Sequence, residues 1–476
     1  MTTSGLHEDS KVTSRAHLRP LAEYDIDPDT GFLPRAPLPR LADPSSPLKH
    51  QSEFLIWEKA LSLAPEVLRL TSDHSPEAVS MREEGEVWRT AICSWPVLSI
   101  SPLKEDACML RRAHVVLAWL VHYYVHSLPS PEQPQSNLVI PAALAVPLVG
   151  VSLALGIAPV LTFADTVLWN WDVYHGSADE DDYVQVAPTI NDIFFTHSFS
   201  NTQDETSFYA VCAACELLGA QILQIIKKCT MKQAVNDLPA ILALADGLES
   251  LAEIIGELTT LMSSMRDQVD PRVFCFKIRP WFGGSGINGK EWVYQGVAAR
   301  DLKTCQNHSG PSGGQSSVIH ALDIFLGINH QCQHNGIYAE RKRFLGFIRT
   351  DSANSNQSKE STNFMQRMRQ YMPAKHRAYL EDLERSSELA SIRTAIEQMS
   401  ELHGPYNKAV QALIHFRNRH LQIACRYVVV FKDRGNGSMA ITDETAQVKP
   451  VKGTGGNHLS LLLKAGRDAT CRTMIK

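Results

Sequence analysis

The chain has 476 residues, 44% of them hydrophobic and 20% charged, with 46 basic against 51 acidic side chains and a formal net charge of −5. That length supports two or three domains around a large shared core. The near-balance of charge excludes the electrostatic footprint of a nucleic-acid binder. Ten cysteines lie scattered without a repeating spacing, and the first fifteen residues lack a basic stretch followed by an apolar one. Free thiols in the reducing cytosol are therefore expected rather than a disulfide framework.

Residues 1–48 are rich in proline and polar side chains and read as an extended arm. Segments 52–72, 107–127 and 138–170 carry apolar residues at helical spacing. The uncharged run 138–164 is long enough to cross a bilayer, but Pro141, Pro147 and Pro159 interrupt it. Each proline removes a helical hydrogen bond, so buried core helices are expected, the second starting after Pro159, with no membrane contact. Residues 172–204 are polar, acidic and irregular and suggest a connection between a domain over 1–171 and another over 205–476.

In 205–228, Phe208, Val211, Cys212, Cys215, Ile222 and Ile226 fall on one helical face. In 238–266, Leu244, Leu248, Leu251, Ile255, Leu258 and Met262 alternate steps of four and three, which gives one apolar stripe. Residues 286–318 read as a glycine- and serine-rich loop. Helices are predicted over 316–330, 363–396 and 406–431, with a polar loop at 351–362 and a glycine loop opening a short last helix at 451–464. Strand patterns are few, so the fold class is mainly α.

Cys212 and Cys215 make a C-x-x-C with no second pair and no βαβ context, which favours core packing over a zinc or redox site. His330 and His334 flank Cys332 at a spacing that can bind zinc, but the first histidine lacks a following glutamate, so a surface or capping role is favoured. The loop KGTGG (452–456) lacks the lysine and hydroxyl of a phosphate-cradling loop and suits a lid better. Bare backbone in SGPSGGQSS (309–317) allows close approach of something flat and large. No serine–histidine–acid or paired-carboxylate arrangement can be argued, so catalysis would come from a cofactor. His420 has Phe416 and Arg417 one turn away on a mainly apolar face. It is either a hydrogen-bonded core histidine beside a surface arginine, the commoner case, or an iron ligand beside a cation that pairs with an anionic flat ligand.

Seven stretches together resemble the indoleamine 2,3-dioxygenase family: EYDIDPDTGF, PVLTFADTVLWNW, DPRVFCFKIRP, SGPSGGQSSVIHALDIFLGI, QYMPAKHRAYLEDL, RNRHLQI and KGTGG, in family order from about residue 23 to 464. The resemblance implies a small N-terminal helical domain (1–171), a connecting segment (172–204) and a large all-helical domain (205–476) holding one haem b, ferrous when active. It implies a cytoplasmic monomer that adds O2 across the indole C2–C3 bond of tryptophan or a related indole to give N-formylkynurenine, with an electron donor keeping the iron reduced. It makes His420 the iron ligand and Arg417 the partner of a haem propionate. Phe208 and Phe274 become contacts for the indole ring and Arg279 the cation for the substrate carboxylate. Ser312 and Gly313 line the space beside the haem, and Thr454 supplies a lid hydroxyl near the amino-acid end. Cys212 stands where mammalian members carry a distal serine, and Pro311 replaces a glycine; both changes bear on substrate preference. The stretch 340–362 resembles an insertion of fungal relatives.

Overall fold

The computed structural model describes residues 18–41, 53–129, 137–174, 187–231, 237–286, 291–306, 308–330, 364–429 and 459–476. Three helices, α1 (Leu55–Val67), α2 (Pro76–Ser80) and α3 (Arg82–Cys93), lead to α4 (Ala107–Ser127). Asp106 sets the start of α4: its carboxylate accepts from the amides of Cys108 and Met109, donors that have no partner inside the helix. Nearly every side chain of α4 is buried, because α1 and α5 (Ala142–Leu155) both pack against it. Gly156 ends α5 in the left-handed region, at φ 63°.

The apolar run 138–164 is thus divided into a strand, a 14-residue helix and a turn. The helix expected after Pro159 is only a π-helical turn over Ala164–Leu168. Strand β1 (Leu138–Ile140) pairs in parallel with β4 (Trp292–Tyr294), inside the stretch expected as loop. Strand β2 (Trp171–Val173) pairs antiparallel with β3 (Ile193–Phe195), inside the stretch expected to be irregular. All four strands among the described residues are three residues long, too short for a period-two pattern to register.

Helices α6 (Gln203–Thr230) and α7 (Leu238–Gln268) start at Thr202 and Asp237, whose side chains accept from the amides of Glu205 and Ala240. By length and composition α6 could cross a bilayer, a test that the core helix of a soluble protein passes equally. All six residues of the predicted α7 stripe are buried. The predicted α6 face divides: Val211, Ile222 and Ile226 are buried, whereas Phe208, Cys212 and Cys215 keep accessible surface. At Gly219 a side-chain carbon would collide with Val318 of α8 (Ser317–Phe325), so glycine there permits the close approach of α6 and α8.

The single helix predicted over 363–396 is three: α9 (Phe364–Met368), α10 (Ala374–Arg385) and α11 (Ser387–Gln398). Pro373 forces Met372 into an extended conformation, and Ser386 caps α11 by accepting from the Leu389 amide. Helix α12 (Ser400–Ala424) continues as a π-helical turn to Val429 and packs along α7; α13 (Leu459–Arg472) packs on α12. Among the described residues a smaller hydrophobic core gathers Val211, Met262, Met265, Val269, Ile423, Tyr427 and Val428, and the larger one runs from Leu21 to Ala469.

Three histidines in this core are held uncharged. His122 sits between the Trp281 carbonyl (2.8 Å) and the Leu161 amide (3.3 Å), and burial, then the nearby His126, pushes its pKa down to about 3. Burial lowers His126 to about 4, and burial and then Arg111 lower His376 to about 3. Below a pH of about 6.5 the unfolded chain takes up protons that the folded chain refuses, so stability must fall with pH until the folded values are reached. The expected cost is roughly 1.4 kcal/mol per histidine per pH unit within that window. Calorimetry should show Tm falling steadily from pH 6.5 to 4.5; a flat Tm over this range would refute the neutral burial of these rings.

Candidate active site

Helices α6, α7, α12 and α13, the π-helical turn Phe274–Ile278 and the loop Pro311–Ser316 enclose an apolar chamber of about 330 Å³. Its size and apolar lining suit a cofactor or small-molecule site. Phe208 of α6 and Phe274 lie with ring centroids 5.0 Å apart, and Tyr427 meets Phe274 edge-on at 5.7 Å. These rings form one aromatic wall, a surface that favours stacking of a further ring.

His420 of α12 lines the chamber. It keeps accessible surface although protein surrounds it, so that surface borders the hollow. Burial, reinforced by Arg417, pushes its pKa down to about 4, which leaves a neutral imidazole with a lone pair available to a ligand. The alternative of a hydrogen-bonded core histidine finds no partner for this ring among the described residues. Arg417 is no surface residue: it donates to the Gly466 carbonyl (2.9 Å), to the Thr470 hydroxyl and to the Asp323 carboxylate, joining α12 to α13 and α8. Burial alone would raise Asp323, but Arg417 and then His330 outweigh it and hold the carboxyl below its usual range.

His330 corrects the surface or capping reading: it is buried, lines the chamber, and its Nε2 lies 2.7 Å from Asp323 Oδ2. His334 and Cys332 lie outside the described residues, and among the described residues no group of three or more His, Cys, Asp or Glu could hold a metal ion. Cys212 and Cys215, read as core packing, line the chamber as well, and burial raises both thiols, Cys215 to about 12. Neither is a thiolate at neutral pH.

Arg279 follows the π-helical turn and reaches the chamber half-buried; burial lowers its pKa, partly offset by Cys275, and the guanidinium stays charged. Ser312 accepts from the Gly314 amide (3.3 Å), and at Gly313 a side-chain carbon would meet only open space. Ser312, Gly313 and Pro311 all line the chamber. The structure therefore brings together Phe208, Cys212, Phe274, Arg279, Ser312, Gly313, Arg417 and His420; Thr454 and its glycine loop lie outside the described residues.

Sequence reasoning missed Glu216, one helical turn beyond Cys212 and on the same face. It is fully buried at the chamber wall. The Ser316 hydroxyl donates to Oε1, and Oε2 has no partner among the described residues. Burial pushes its pKa up to about 7, against the Ser316 bond, which lowers it. The i, i+4 spacing from Cys212 was the signal that could have found it.

Fold and site define a mainly helical protein that closes an apolar, aromatic-walled chamber around an uncharged imidazole and a charged guanidinium. The indoleamine 2,3-dioxygenase family profile matches residues 20–473. An indoleamine 2,3-dioxygenase of Saccharomyces cerevisiae is 28% identical, covering 97% of this chain and 96% of its own length. The human indoleamine 2,3-dioxygenase 2 is 31% identical over 80% of this chain and 83% of its own. A 6-hydroxytryptophan 2,3-dioxygenase of Fusarium equiseti is 25% identical over 94% and 96%. The chain belongs to the indoleamine 2,3-dioxygenase family.

A carboxyl poised at its midpoint is directly measurable. Infrared difference spectra should show a protonated-carboxyl band that titrates near pH 7 and is missing in Glu216→Gln. A band that persists in the variant would move the buried proton to another residue.

Proposed function

We propose that this chain is a haem-dependent dioxygenase that converts tryptophan to N-formylkynurenine, with His420 as the iron ligand. The observation that carries the reading is the neutral imidazole of His420, without a hydrogen-bond partner among the described residues, lining one chamber with an aromatic wall and Arg279. Members of this family are haem-dependent. The residues present fit that group: an imidazole able to bind iron, apolar walls for a macrocycle, and bare backbone at Gly313 where a flat ligand can approach. Bound haem supplies the iron at which O2 is activated.

The chain's own residues do the rest. Phe208 and Phe274 hold the indole by stacking, and the Arg279 guanidinium takes the substrate carboxylate in a charge-assisted pair. Apolar walls exclude water, which strengthens that pair and fixes the ring orientation. The Asp323–Arg417–His330 network sets the position of α12 and so of His420. No strong general base is demanded. The protein acts as a cytosolic monomer served by an external electron donor that keeps the iron ferrous.

His420→Ala should show no Soret band after haem supplementation while its helical circular dichroism is kept. Arg279→Ala should retain the band and raise the KM for tryptophan roughly ten- to a hundredfold, the loss of one charge-assisted interaction. A Soret band in the first variant, or unchanged tryptophan kinetics in the second, removes the assigned role.

One observation favours a hydroxylated indole as a second reading: Glu216 adds a carboxyl to a largely apolar wall, and a relative is named for 6-hydroxytryptophan. On this reading Glu216→Leu lowers the kcat/KM ratio of 6-hydroxytryptophan to tryptophan about tenfold, since an unpaired buried hydroxyl is costly. An unchanged ratio leaves tryptophan as the substrate.

A further inference from the structure

Phe274 and Arg279, the ring and the cation assigned to the substrate, sit on one short stretch of chain. Helix α7 ends at Gln268, and Val269 and Asp270 lead into a helical turn, Pro271–Val273, and then the π-helical turn Phe274–Ile278. The Asp270 carbonyl accepts from the Phe274 amide at 2.9 Å, and the Phe274 carbonyl accepts from the Arg279 amide. Backbone hydrogen bonds thus run unbroken from Asp270 to the aromatic residue and on to the guanidinium-bearing one. Whatever fixes the start of this chain fixes both.

Two side chains from other helices hold that start. The buried Tyr427 hydroxyl donates to the Val269 carbonyl at 2.8 Å and to the Met265 carbonyl at 2.9 Å. From the opposite side the Asp204 carboxylate accepts from the Asp270 amide. The Val269 carbonyl and the Asp270 amide belong to one planar peptide group, so its two ends are held by two different side chains. A peptide plane pinned at both ends cannot rotate, and the direction of the chain beyond it is set. Tyr427 lies in the π-helical turn that continues α12, seven residues or about two helical turns beyond His420. Asp204 lies in the first turn of α6, four residues before Phe208 and on the same face. The helix that carries the imidazole and the helix that carries the second indole contact therefore each hold one end of the same peptide. Both Tyr427 and Phe274 stand in π-helical turns, which are frequent at functional sites.

We propose that Tyr427 and Asp204 are positioning residues that clamp the Val269–Asp270 peptide and so hold Phe274 and Arg279 in register with His420 and Phe208. The role in substrate binding rests on the dioxygenase reading, whereas the clamp itself can be tested without turnover. Hydrogen exchange of the full-length protein should speed up about tenfold across residues 269–279 in Tyr427→Phe and in Asp204→Ala, with α4 unchanged. Asp204→Asn keeps an acceptor oxygen and should stay near the wild-type rate.

In turnover, Tyr427→Phe keeps the aromatic ring and should raise the KM for tryptophan about tenfold, with kcat within twofold and the Soret band unmoved. Added to Arg279→Ala, the same change should raise KM less than threefold further, because the cation it places is gone. Exchange across 269–279 unchanged in either variant, Asp204→Asn as impaired as Asp204→Ala, or effects of Tyr427→Phe and Arg279→Ala that simply multiply would overturn the clamp. A wild-type protein that shows the exchange pattern but makes no N-formylkynurenine would instead remove the functional reading and leave the clamp standing.

Discussion

The pairing of Arg417 with Asp323 ties together the three helices that close the rear of the chamber. Arg417 stands on α12 three residues before His420, Asp323 on α8, and the other terminal guanidinium nitrogen, Nη1, donates to the Gly466 carbonyl and the Thr470 hydroxyl of α13. His330 takes the other Asp323 oxygen. A buried ion pair is tolerable only when such extra hydrogen bonds satisfy both charges, and removing one partner typically costs about 3–5 kcal/mol. This network is therefore cooperative: the seat of His420, the packing of α13 and the burial of His330 stand or fall together.

One physical cause, withdrawal from water, explains the ionisation pattern around the chamber. It lowers His420 and Arg279, whose charged forms are cations, and it raises Glu216, Cys212 and Cys215, whose charged forms are anions. Opposite shifts from the same origin leave the imidazole and both thiols uncharged at neutral pH and bring Glu216 close to neutrality, beside the charged guanidiniums. That is the environment in which a single cation directs an anionic tail and aromatic rings place a flat body.

Much of the architecture was legible in sequence, because long amphipathic helices repeat their signal many times. The α7 stripe was read residue by residue, and α4 was bounded correctly at 107 and 127. Elements with few repeats were not readable. The three-residue strands carry too little pattern, α2 is only five residues long, α3 is mostly polar, and the breaks at Pro373 and Ser386 act through local backbone conformation inside a continuous helical periodicity.

The site followed the same division. By itself the sequence determined which side chains could carry the chemistry: an imidazole on an apolar helix face, a guanidinium one turn away, aromatic rings at helical spacing, and the motifs in family order that gather them. Only the tertiary structure decided what those side chains face. It turned half of the α6 face, including Cys215 and Glu216, toward a hollow rather than a core, and it drew His330 inward onto Asp323. The reason is physical: periodicity along a chain records how often a residue returns to one side of a helix. Whether that side meets solid protein, a cavity or a charge depends on helices more than a hundred residues away.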